Sequence, residues 1–253
     1  MGVAWYWRTF PGELSSLRSA RREHAPLYLR EDPEPLVSVV IPTYNQGRIL
    51  VGRALPSILR QTYRRLDVVV VGDGSPGESV DCWRTVRDPR VRFENLAQRG
   101  VYPADPLRRH RVAGSAPMNR ALELARGDWI APCEDDDVFT PDHVEMLLRH
   151  AQAHDSEWVT GSFLEEREPG VLSSAVDPSR NWTVQTRTAI SCWLFRTYLR
   201  SFKFDLSAWR YHMNGDYGFK HRLIRAGVRM AYLDAVVTHK LLRPGESELY
   251  HGF

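Results

Sequence analysis

Lysine is scarce in this 253-residue chain: of 34 basic residues only Lys203, Lys220 and Lys240 are lysines, and 31 acids bring the formal charge to +3. A nucleic-acid surface would need that positive charge clustered. An arginine bias of this kind fits a GC-rich coding sequence instead, so no nucleic-acid partner is expected. Cysteine is equally sparse. Cys82, Cys133 and Cys192 are odd in number, far apart and without CxxC or Cys/His ligand spacing, which excludes a disulfide framework and a zinc knuckle and suits a reduced, cytoplasmic setting. No run approaches 18 apolar residues, and the first residues lack the pattern of a secretory signal. Internal repeats are missing too. So is a Gly-rich phosphate loop followed by a basic residue, which counts against a sugar-phosphate nucleotidyltransferase.

What is present begins with Trp5, Tyr6, Trp7 and Phe10 ahead of Arg18, Arg21 and Arg22. This mix suits peripheral contact of residues 1–30 with the inner face of a membrane, although packing on the domain is the preferred reading. After the Pro-punctuated residues 32–35, the β-branched run 37–41 predicts a strand buried on both faces. Leu50, Ala54, Leu55, Ile58 and Leu59 have helical spacing, with a kink expected at Pro56. A second buried strand at 66–71 completes a parallel βαβ unit. A helical set at 80–86, a short strand at 91–93 and a long connection over 97–115 follow. Next come a helix over 117–125 closed by Gly127 at C′, a strand at 129–131, and a helix capped by Thr140 with Pro141 at its first position. Further strands are expected at 158–163, 189–195, 228–233 and 236–239, and a helix over 216–226 ending at Gly227. A chain of this length supports one large α/β unit: residues 1–35 as an extension and 36–253 as the domain, with halves meeting near 140.

In open parallel sheets ligands bind beyond the carboxyl ends of the strands. Three polar clusters fall at such ends: residues 43–45, 72–75 and 134–137. The last is Glu134, Asp135, Asp136 and Asp137 in a row. Four adjacent carboxylates repel one another unless solvent or a cation compensates them. Mg2+ or Mn2+, which takes one or two carboxylates and fills its other positions with water and phosphate oxygens, is the natural cation. A solvated acidic face is the alternative.

The segments VSVVIPTYNQGRIL (37–50), QTY (61–63), VVVGDGSPGES (69–79), ARGDWIAPCEDDDVFTPDHVEML (125–147) and GDYGFKHRLIRAG (215–227) occur in the order and spacing of the inverting family 2 glycosyltransferases. The chain resembles that family over about residues 37–245. The resemblance implies the GT-A fold, a Rossmann-like, mostly parallel sheet flanked by helices with a smaller acceptor-binding part. It also implies a nucleoside-diphosphate sugar, UDP- or dTDP-linked, as donor, and a small-molecule or glycan acceptor. Pro42, Thr43, Tyr44 and Asn45 match the nucleoside loop, with Tyr44 placed to pack on the base. Asp73 matches the second acid of the usual Asp-Asp-Gly-Ser, which reads the edge of the base, and Gly72 replaces the first. Asp135 and Asp136 match the DxD region in the adjacent-acid form of spore-coat-type members, Asp135 toward the nucleotide sugar and Asp136 toward the metal. Arg111, or its neighbours Arg108 and Arg109, corresponds to arginines that neutralise diphosphate. Asp216 matches the catalytic base, with an acid favoured by a helix N-terminus as the bland alternative. His239 falls where metal- or diphosphate-contacting residues occur, a structural histidine being the other reading.

Acceptor choice is expected in residues 163–187 and 203–214. Trp182, Trp193 and Trp209 there can stack on a sugar or fill the core, the latter being preferred for Trp193. A sugar-nucleotide-binding domain without catalysis is the non-enzymatic alternative, and Gly72 is the residue that keeps it open.

Overall fold

The computed structural model describes residues 2–28, 32, 34–174 and 189–242, with side chains of the first helix described over 10–24. Strand β1 (Val37–Thr43) is all but fully buried and pairs in parallel with β2 (Leu66–Gly72) on one side and with β4 (Trp129–Pro132) on the other. Strand β3 (Val91–Asn95) lies outside β2, again parallel, at the end of the sheet. Two of its residues are charged and tied back to the domain: Arg92 pairs with Asp67, and Glu94 with Arg120. Continuous apolar runs such as Val68 to Val71 form strands here because both faces are covered by helices and no polar face is needed.

Beyond β4 the pairing turns mixed. β8 (Trp193–Arg196) is antiparallel to β4 and to β6 (Trp158–Glu168), and β6 runs parallel to β9 (Met230–Lys240). β9 carries the short β5 (Asp137–Phe139) as its antiparallel outer neighbour, and β7 (Val171–Ser174) pairs with β6. The strand order is β3-β2-β1-β4-β8-β6-β9-β5, and one core runs across it from Leu17 to Val237.

Several local expectations are corrected. The helix after β1 runs as α2 (Gly47–Ile49), a π turn at Leu50–Ala54, then α3 (Leu55–Leu59). Pro56 has no N–H to donate, and the turn before it widens so that Leu55 N–H reaches Leu50 O, five residues back. Helix α4 (Gly77–Trp83) starts three residues earlier than its apolar spacing suggested, and the long connection contains a short α5 (Pro106–His110). Helix α6 (Ser115–Leu124) ends with Ala125 in extended backbone, so Gly127 is no left-handed cap. A Cβ on Gly127 would come within 2.6 Å of Leu36 O and Ser38 N, so a close crossing requires this glycine. Thr140 caps nothing: its hydroxyl donates to Val237 O, and α7 (His143–Ala153) begins after Asp142. A 3-10 turn takes Ile190–Cys192 out of the strand expected at 189–195, and the last two strands are one, β9. Helix α8 (Gly215–Arg225) ends at Gly227 with φ +71°, as expected.

Helix α1 (Gly2–Tyr28) lies on the domain. Leu17 and Phe10 are buried, Arg21 grips the buried Glu157 with two bonds of 2.7 and 2.5 Å, and Glu13 pairs with Arg222. The side chains of Trp5, Tyr6 and Trp7 lie outside the described residues, as does Trp182. No described helix is long and apolar enough to cross a membrane.

Candidate active site

The carboxyl ends of β1, β2 and β4 lie side by side, which brings the three polar clusters together. Thr43 is paired with Gly72 in register, and Asp73 N–H donates to Thr43 O at 2.8 Å. Cys133 N–H donates to Val40 O, so the acidic loop starts beside the strand that leads into residues 42–45. Pro42 and Thr43 close β1; Tyr44 is exposed and Asn45 turns the chain with φ 54°. Asp73 is buried, with Oδ1 accepting from Gly100 N–H (2.8 Å) and Oδ2 from the Tyr102 hydroxyl (2.7 Å). Burial, then this bond to Asp73, raises the Tyr102 phenol above its ordinary range. Gly72 is no simple loss of an acid. A Cβ there would collide with Trp83 and with Asn95 Oδ1, and the Asn95 amide holds Ser75 through its N–H (2.9 Å) and its carbonyl (3.0 Å). The room for the missing side chain is filled.

The acidic loop is braced from three elements. Arg53, in the π turn, donates to Asp136 O at 3.3 Å and to Leu242 O at 3.1 Å. The Ser191 hydroxyl lies 2.9 Å from Glu134 N–H, which donates to it, and itself donates to Asp137 Oδ2 at 2.5 Å. Lys240, at the end of β9, pairs with Glu134 and lies 3.3 Å from Asp137. Burial pushes the Asp137 carboxyl up to about 8 while Lys240 pulls against it. Burial also works against the Lys240 ammonium, but the facing carboxylates outweigh it and hold that group well above its ordinary range. Two of the four acids thus share an internal cation. Asp135 is buried and Asp136 half-buried in the same loop, and His239 is carried one residue before Lys240, in register with Val138. Among the described residues no three His, Cys, Asp or Glu side chains converge as a ready-made metal cage. All-oxygen donors at Asp135 and Asp136 fit an ion that completes its shell with water and phosphate, as Mg2+ and Mn2+ do.

Asp216 stands in the first turn of α8, within electrostatic reach of Glu134. Burial raises its carboxyl, the Tyr217 N–H (2.7 Å) lowers it, Glu134 raises it further, and Lys220 and Lys240 pull it back. The N–H contact realises the helix-terminus reading, and the reach of Glu134 places the same carboxylate beside the acidic loop. Lys220, one turn on and buried, is lowered to about 8 by burial against the opposing effect of Asp216. Arg111 is engaged with the approach to α8, donating to His212 O at 2.6 Å and to Asn214 Oδ1 at 3.3 Å. Its backbone carbonyl accepts from Gly215 N–H. Trp193 is core, as preferred. Apart from the acidic loop, a groove of about 700 Å³ runs past Tyr102, Asn119, Phe204, Trp209 and Arg210. Sequence reading missed Arg53, Arg99, Tyr102, Ser191 and Lys240. Only the rarity of lysine gave a signal for any of them.

A family model described as Glycosyl transferase family 2 matches residues 38–228. The chain belongs to glycosyl transferase family 2. Among curated proteins, this family 2 chain is 30% identical over 131 residues to "Glycosyltransferase GlyG" of Streptococcus pneumoniae serotype 4, covering 51% of the chain and 39% of that protein. It is 32% identical over 133 residues to "Putative colanic acid biosynthesis glycosyl transferase WcaA" of Escherichia coli K12, covering 51% and 41%. The matches therefore span about two fifths of those relatives' length. Among solved structures it resembles S. aureus TarS 1-349 in complex with UDP-GlcNAc, with a TM-score of 0.62 at 18% identity over 84% of the chain and 60% of the other. It also resembles the mannosyltransferase PcManGT from Pyrobaculum calidifontis in complex with GDP-Man and Mn2+, with a TM-score of 0.59 at 16% identity over 93% and 70%. These likenesses establish the GT-A fold for this family 2 chain.

Proposed function

We propose that this family 2 chain is a glycosyltransferase that moves a sugar, with inversion, from a nucleoside-diphosphate sugar to an acceptor hydroxyl. The observation that carries the reading is the meeting of the nucleoside loop, the acidic loop and Asp216 at one end of the sheet. Pro42, Thr43, Tyr44, Asn45 and Asp73 receive the nucleoside, and Asp135 and Arg111 face the diphosphate and sugar. Asp136, aided by His239, would hold Mg2+ or Mn2+. Such an ion, when bound, neutralises charge growing on the departing diphosphate.

Asp216 takes the acceptor proton. Inversion requires the hydroxyl to attack from the face opposite the diphosphate, so the base and the diphosphate site must flank the sugar from opposite sides. Bound UDP-GlcNAc and GDP-Man in the structural neighbours support a donor of this class.

Thermal shift tests the donor site with UDP, dTDP, GDP and CMP, each with and without Mn2+. Ligand at a hundredfold excess over Kd stabilises by about 2.7 kcal/mol, a rise of several degrees. A Mn2+-dependent rise with UDP or dTDP, lost in Asp136→Ala, is expected. No rise with any nucleotide defeats the donor reading.

A further inference from the structure

One face of the Tyr44 ring is already taken by the chain itself. The guanidinium carbon of Arg99 stands 3.6 Å from the ring centroid, its Nε lies 3.9 Å from Asp73 Oδ2, and the Tyr102 ring is 5.9 Å away. The backbone that presents Arg99 is clamped. Gly100 N–H and the Tyr102 hydroxyl both donate to Asp73. Gly74, at φ +63°, lets that backbone approach so closely that a Cβ there would come within 2.6 Å of Arg99 N. With loop and turn locked together, the Arg99 side chain is the part left to move.

A guanidinium is flat, stacks on aromatic faces and carries N–H donors along its edge. A nucleobase with a ring N–H has the same three properties. Tyr44 and Asp73 are the residues read above as the stacking face and edge partner of the donor base, and the inference rests on that reading. We propose that Arg99 is a built-in occupant of the nucleobase position, which the base of the incoming nucleotide must displace. At 3.6 Å from the ring there is no room for a base between Arg99 and that face of Tyr44, the face on the side of Asp73, so a base stacking there competes with Arg99. Competition with an internal occupant lowers apparent affinity by the fraction of molecules in which the position is open. A partly exposed cation–π stack with a weak ion pair corresponds to a factor of about 3 to 10.

Isothermal titration of the full chain with UDP and GDP, in wild type, Arg99→Ala and Arg99→Lys, tests this. The lysine keeps the charge and gives up the flat stacking face, which separates occupancy from general attraction for diphosphate. Both variants are expected to bind about 3- to 10-fold more tightly than wild type. Weaker binding in Arg99→Ala would make Arg99 a ligand of the nucleotide and overturn the proposal, as would equal affinities in all three proteins. If neither wild type nor variants bind either nucleotide, the donor reading itself has failed and the proposal falls with it; this outcome differs from tight binding insensitive to residue 99.

Discussion

At the scale of single residues, the reaction proposed turns on Asp216. An ionised aspartate is a weak base that takes a proton as the hydroxyl becomes acidic in the transition state, a contribution of about 10² to 10⁴ in rate. Asp216→Asn is therefore expected to lower kcat by about that factor while the Kd for donor nucleotide stays unchanged; unaltered turnover would remove the residue from the chemistry. Because burial raises this carboxyl, the acid limb of kcat/KM should lie above the ordinary aspartate value of about 3.9. The sequence showed that such an acid opens a helix. Its i to i+4 spacing makes Lys220 readable along that helix, but Lys240, which reaches Asp216 from another element, was not, because proximity across the fold leaves no mark in the spacing.

At the scale of elements, α1 was the least legible and is tied in most specifically. Aromatic and basic residues at the start of a chain fit a membrane surface as well as a protein surface, and composition alone does not choose. Arg21 decides for its part of the helix: its guanidinium and Gly227 O are 2.9 Å apart, and its partner Glu157 is 1% exposed and also accepts from the Tyr198 hydroxyl and Arg229 N–H. Removing one side of a buried pair is costly because the other charge stays behind. With Arg21 itself partly exposed, Arg21→Met is expected to destabilise by about 2 kcal/mol, while exposed Arg22→Met stays within about 0.5 kcal/mol. Chemical denaturation of the two variants distinguishes a clamped helix from a loosely apposed one, which would respond equally to both. The central strands were legible because burial on both faces leaves uninterrupted β-branched runs. The turn at Pro56, the fused β9 and the role of Gly127 were not, since each depends on what the segment packs against.

At the scale of the whole molecule, stability should depend on pH through His143. This ring is fully buried, stacks on Phe139 at 3.5 Å, and donates from Nδ1 to Val237 O at 2.8 Å. Burial lowers it to about 4. Unfolded, it takes a proton near pH 6.5. Between those values the unfolded chain binds more protons than the native one, so this contribution is complete above about pH 6.5 and is lost as pH falls toward 4, on the order of 3 kcal/mol in all. Asp137, raised by burial, runs the opposite way over the same range. The test is accordingly a difference: urea unfolding of wild type and His143→Asn, which can keep the donor to Val237, from pH 7 to 4. The wild type should lose stability more steeply, and parallel curves would contradict the assignment.

Among the described residues β3 is the last strand at one end of the sheet. An open strand edge invites pairing with another chain, and proteins discourage this with charge along the edge. Here Arg92 and Glu94 alternate on β3, each tied by an ion pair to its own domain through Asp67 and Arg120. A foreign strand docking there would have to strip both pairs of their water and partners. The same charges that look incidental to the chemistry therefore stand against extension of the nine-stranded sheet by a strand from another molecule.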